Sequence, residues 1–161
     1  MFEFRAWELA SYVVTVVGLP LAIIIFVFEQ RRERRNEEDE GYQLLSNAYN
    51  DFLRVVIDNP DLRLRSQSVT PDLSAEQQER MLVVFDMLIS LLERAYLTAY
   101  SDNMNAAQRR RWNSWEDFMR EWARRDNFYY SLPHLLKGED PEFAAYLQRL
   151  AEEERGTPPP C

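Results

Sequence analysis

The run from Leu9 to Phe28, LASYVVTVVGLPLAIIIFVF, constrains this chain more than any other stretch. It contains no charged residue, and Glu29, Gln30 and the block Arg31-Arg32-Glu33-Arg34-Arg35 follow it at once. A helix needs roughly 20 mostly apolar residues to cross about 30 Å of hydrocarbon. The run reaches that length, so the sequence predicts one membrane-spanning helix over 9–28. A cleaved signal peptide would have a shorter apolar region, about 7–15 residues, and a small-residue cleavage site. Here the run continues up to the charged block, and no A-x-A pattern ends it. A buried core helix would carry a polar stripe, and Val13 to Phe28 has almost none.

The flanks set an orientation. Arg31, Arg32, Arg34 and Arg35 lie on the C-terminal side, whereas Arg5 on the N-terminal side is offset by Glu3 and Glu8. Positive charge stays inside. The expectation is therefore a single-pass protein of the cytoplasmic (inner) membrane, with the short N-terminus outside and the C-terminal domain in the cytoplasm. Trp7 and Tyr12 suit the outer interface, where amphipathic rings settle. Ser11, Thr15, Gly18 and Ala22 step by four, three and four residues and so share one stripe. Small residues let a second helix approach closely in lipid, which makes this stripe a candidate helix-packing face. Gly and Pro are also simply frequent in membrane helices, and Pro20 is expected to bend this one.

Composition excludes several classes. The net charge of −8 over 161 residues argues against nucleic acid as the main partner, because phosphate binding needs a net basic surface. Lys137 is the only lysine, a bias that hints at a GC-rich bacterial source. Cys161 is the only cysteine, so the chain can form no internal disulfide, thiolate zinc site or iron–sulfur cluster. Glycine is too scarce, at 4 residues, for a phosphate-cradling loop. With one histidine, His134, no Ser-His-Asp or Cys-His set and no Glu-x-x-His di-iron pair can be assembled. No catalytic, cofactor-binding or metal residue is therefore expected, and no cofactor.

Beyond the span the chain reads as helical. Glu29 to Gly41 is a charged juxtamembrane stalk, in which Arg34 with Glu38 and Arg35 with Asp39 can pair at i,i+4. Its arginines can reach lipid phosphates, but a solvated stalk with no binding role is the plainer reading. Gly41 is expected to soften the chain. Tyr42, Leu45, Tyr49, Phe52, Leu53 and Val56 then recur at helical steps, up to the stop at Asn59-Pro60. Asp61 to Leu73 reads as a long connection and a candidate partner-facing loop. Ser74-Ala-Glu-Gln77 is a capping box that opens a helix to about Ser101. Its middle, MLVVFDMLISLL, is apolar almost all round. That fits a central helix covered by its neighbours or, alternatively, a face left open for another chain.

Ala106 to Arg125 is the next predicted helix, with Trp112, Trp115, Met119 and Trp122 on one stripe. Rings interleaved with arginines can stack on bases, but strict helical spacing makes them core. Arg109, Arg110 and Arg111 occupy its first turns, where the helix dipole disfavours cations. They are the candidates for electrostatic docking onto anionic headgroups or an acidic patch of a partner. A short segment with Phe128, Tyr129, Leu132 and Pro133 follows, then a helix from Asp140-Pro141 to Gly156 with Phe143, Tyr146, Leu147 and Leu150 inward. Residues 157–161 form a proline-rich tail.

The layout resembles that of small, uncharacterised bacterial single-pass membrane proteins with a C-terminal helical domain. The residues that carry the likeness are the span 9–28, the Arg31–Arg35 block, Tyr42…Tyr49-x-x-Phe52-Leu53 and Trp112…Trp122. The resemblance implies no catalytic residues and no named activity. The expected architecture is all-α: an external segment 1–8, a membrane helix 9–28, a stalk 29–41, a four- to five-helix domain 42–156 and the tail. The expected role is a non-enzymatic, membrane-anchored interaction or accessory subunit. Its partners would be the lipid bilayer and either a second copy or another membrane protein, not nucleic acid. The alternative is a tethered sensor or effector whose bundle switches state on binding a ligand or partner. A carboxylate-based hydrolase is the third class, and nothing singles out an acid pair for it.

Overall fold

The computed structural model describes residues 19–156, and within them the chain is helical with no strand. Helix α1 spans Leu19–Asp58, α2 Ala75–Ala99, α3 Ala106–Ala123, α4 Asp126–Leu135 and α5 Pro141–Arg155, with a 3-10 turn at Pro60–Leu62. The chain divides into two compact units, Met1–Gln43 and Leu44–Cys161, and the boundary falls inside α1. Gly41, expected to loosen the chain, lies within uninterrupted helix.

In the first unit, the described part of the predicted span runs from Leu19 to Phe28. Among the described residues no helix is long and apolar enough to cross a membrane. Residues 9–18, the other half of the predicted span, lie outside the described residues, as do Trp7, Tyr12, the N-terminal charges and the tail 157–161. Leu21 and Ile23 to Phe28 are exposed, and so are Arg31 and Arg32. The side chains of 34–39, and with them the expected i,i+4 pairs, also lie outside the described residues.

The second unit is a helical bundle built around aromatic rings. Helix α3 supplies its axis: Trp112, Trp115, Met119 and Trp122 are all buried, as their spacing predicts. Trp122 meets Phe52 of α1, Phe85 of α2 and Phe128 of α4 at ring separations of 5.6, 6.4 and 6.1 Å. Tyr49 of α1 stacks on Phe118 at 4.3 Å, and its hydroxyl accepts from Trp122 Nε1 at 3.2 Å. At the other end Tyr96, Trp112 and Tyr146 form a second ring cluster. Stacked and edge-to-face aromatic pairs add about 0.5–1.5 kcal/mol beyond the area they bury.

Local signals place the helix starts. Ser74 caps α2 with a complete capping box to Gln77. Asn105 and Gln108 form a second box at α3, which satisfies the orphan N–H groups ahead of Arg109–Arg111. Asp140 caps α5 with Pro141 behind it, and Gly156 closes that helix in the left-handed conformation at φ 66°.

The connection 59–74 differs from a free loop. Leu62 and Leu64 are buried. Thr70 Oγ1 donates to the Leu62 carbonyl at 3.1 Å and accepts from Asn127 Nδ2 at 2.9 Å. The Asp126 N–H donates to the Gln67 carbonyl at 2.9 Å. The segment is thereby stitched to the start of α4, because a long loop over a core must find partners for its backbone groups.

Candidate functional site

The polar groups of the bundle fall first into clusters that satisfy one another. Tyr146 accepts from Trp112 Nε1 at 2.9 Å and donates to Glu116 Oε2 at 2.6 Å. Glu116 also accepts from Arg120, which reaches Glu153 and Glu154 on α5, and Arg124 joins at Glu154. Burial and then the Glu116 hydrogen bond push the Tyr146 phenol above its usual range. Burial pulls Glu116 upward, but the bonds from Tyr146 and Arg120 outweigh it and hold the carboxyl below the ordinary glutamate range. This network clamps α3 to α5. Within it both oxygens of Glu116 and of Glu154 and the Tyr146 hydroxyl are engaged, as a joint between two helices requires.

Arg125 is buried and lies 4.5 Å over the Trp122 ring. It donates to the Glu121 carbonyl at 2.6 Å and to its carboxylate at 2.9 Å. Burial lowers its pKa, partly offset by the Glu121 hydrogen bond. A planar guanidinium on an indole face is a packing element as much as a charge.

A third cluster joins α2 to the turn before α5. Glu93 Oε1 accepts from the Asp140 N–H at 2.6 Å. Burial, then the neighbouring Glu93, push the Glu139 carboxyl above its usual range. Among the described residues no group of three or more His, Cys, Asp or Glu side chains is placed to hold a metal ion. His134 is exposed.

Among the described residues, shallow depressions mark the surface of the bundle. One of about 410 Å³ lies between the connection and α2 near Thr70 and Met81, and one of about 420 Å³ near Arg124 and Arg155 is lined with charged and polar groups. A third, about 390 Å³, is a groove between α1 and α2, with Ala48, Asp51 and Val55 on one wall and Met87, Ser90 and Arg94 on the other. Helical spacing alone left open whether a face of α2 would stay uncovered, and the groove lies on such a face. In the sequence it is a second row beside each core row, at the same helical steps, which periodicity does not tell apart from the core row.

Ala22 is exposed, while Ser11, Thr15 and Gly18 lie outside the described residues. Arg109 and Arg110 are exposed and Arg111 is half-buried. Arg109 and, from α5, Arg149 both favour the charged form of Tyr100, whose ring packs against Trp112 and Tyr146. In comparisons with known proteins, no family model matches the sequence, and no curated protein and no solved structure is significantly similar to it.

Proposed function

We propose that this chain is a membrane-anchored helical protein, held by residues 9–28 with its bundle on the cytoplasmic side. Within that class we read it as a non-enzymatic interaction or accessory subunit, which self-associates or docks onto a larger membrane complex. The observation that carries the reading is the start of α1. From Leu21 to Phe28 its large apolar side chains, all but Ala22 in this stretch, are between 38% and 66% exposed, and Arg31 and Arg32 follow at once. Each buried apolar Å² is worth about 25 cal/mol, so a segment apolar on every face is favoured where lipid tails or another helix cover it. Positive charge after an apolar segment fits retention of the arginines on the cytoplasmic side. The Ser11–Thr15–Gly18–Ala22 stripe would pack helices within the bilayer, and Arg109–Arg111 would meet anionic headgroups or an acidic partner.

The test is extraction of the full-length chain from the membranes of an expressing cell. Retention through alkaline carbonate and release by detergent is the expected result. Recovery as a freely water-soluble species, with residues 9–28 protected within its own fold, would overturn the reading. Gly18→Leu should weaken association in a bilayer reporter while leaving insertion intact.

A further inference from the structure

We propose that the groove between α1 and α2 is the surface through which two copies of this chain pair. The proposal rests on the self-associating form of the reading above and gives that association a place in the bundle. Each wall is a helical row. Ala48, Asp51 and Val55 line the α1 wall and Met87, Ser90 and Arg94 the α2 wall; Leu44 on α1 and Val83 and Leu97 on α2 extend the same rows beyond the groove at steps of three and four. Such spacing keeps a row on one helix face. Both helices use a different row for the core: Leu45, Tyr49 and Phe52 on α1, and Phe85, Leu88 and Leu92 on α2. The second rows are left open, with Leu44 64%, Met87 46% and Leu97 61% exposed. A clustered apolar surface rimmed by polar residues marks an interaction site.

Charge selects the occupant. The α1 wall carries an acid, Asp51, and the α2 wall a base, Arg94. Among the described residues Asp51 pairs only with Arg54 of its own helix, at 2.8 Å with both ends exposed, an arrangement worth little in water. Arg94 makes no ion pair or hydrogen bond with any described residue. In a two-fold interface the same patch meets itself, so residue i faces j and j faces i. A groove with an acid on one wall and a base on the other is complementary to its own copy: Asp51 of each copy faces Arg94 of the other, twice, across the apolar row. A uniformly acidic or basic partner would be attracted by one wall and repelled by the other. Anchoring both copies in one bilayer raises their effective concentration, so a modest interface suffices.

The experiment is mass measurement of the full-length chain in lipid nanodiscs and mild detergent, with intersubunit crosslinking, for the wild type and four variants. Asp51→Arg and Arg94→Asp should each weaken the dimer tenfold or more. Asp51→Arg combined with Arg94→Asp should restore it, because the pairing is reversed but intact. Met87→Glu, at an exposed position, should dissociate the dimer with no rescue and with an unchanged helical circular-dichroism signal. A wild type that is monomeric, a dimer indifferent to all four variants, a double swap that stays monomeric while fully helical, or a groove filled by a different protein would each overturn the proposal. Carbonate extraction of the same samples separates the two claims: a chain retained in the membrane yet monomeric sinks the pairing alone, and a chain lost from it sinks the anchoring.

Discussion

Tyr146→Phe removes one oxygen atom and tests whether the joint between α3 and α5 is held by hydrogen bonding or by ring packing alone. The phenylalanine keeps the ring contacts with Trp112 and Tyr96, at 5.7 and 5.2 Å. Two bonds disappear with the hydroxyl. Trp112 is fully buried, and its Nε1–H loses the acceptor at 2.9 Å; a buried donor left without a partner costs about 1–3 kcal/mol. Glu116 loses a donor at 2.6 Å, and a hydrogen bond to a charged group is worth about 1.5–3 kcal/mol. Glu116 keeps Arg120 at 2.8 Å, and its side chain is 27% exposed, so water replaces part of that second loss. The expected destabilisation is about 3 kcal/mol, a fall in melting temperature of roughly 12 °C at about 4 °C per kcal/mol. Thermal and denaturant unfolding of the full-length chain in detergent, followed by near-ultraviolet circular dichroism of the tryptophans, reads this directly. A double-mutant cycle with Glu116→Gln should show a coupling of about 1 kcal/mol or more. The pH dependence gives an independent handle. Glu116 is held below the ordinary glutamate range in the fold, so its contribution is present above that range and is lost as the pH falls through the folded value. The difference between Tyr146→Phe and wild type should therefore narrow in acid. A loss below about 0.5 kcal/mol, the range of ordinary surface substitutions, would show that ring packing alone holds the joint.

Other expected outcomes follow from the same core. Trp122→Ala removes a fully buried ring that touches three helices, and should cost about 3–5 kcal/mol in denaturant unfolding. Asn105→Ala deletes both side-chain acceptor bonds at the start of α3, and should cost about 1 kcal/mol with the rest of the fold unchanged. Glu139 sits above the ordinary glutamate range because burial, then Glu93, disfavours its charge. The fold thus prefers its protonated form, a preference expressed in full below the unfolded value and lost as the pH rises through the folded one. Glu139→Gln should raise the melting temperature near neutral pH, and the gain should fade as the pH approaches about 4; a gain that is constant with pH would remove the charge on Glu139 as its cause.

Some of this protein was written locally in the chain. Helical period placed Trp112, Trp115, Met119 and Trp122 on one buried face, and Ser74 with Gln77 set a helix start, because both effects act within a turn or two of one helix. The all-helical class followed from the same periodicity. The apolar run and its arginine block likewise stand in the sequence alone, as a statement about which solvent that segment prefers. Tertiary structure decided what joins residues far apart. Asp61 to Leu73 reads from its length as a long connection and a candidate partner-facing loop, yet Thr70 finds Asn127 fifty-seven positions away. Likewise α2, apolar on nearly every side, gave no hint of which row would face inward. Only its packing against α3, α4 and α5 left Val83, Met87 and Leu97 outside. Whether an apolar row becomes core or surface depends on which neighbours arrive to cover it, and periodicity within one helix does not contain that information.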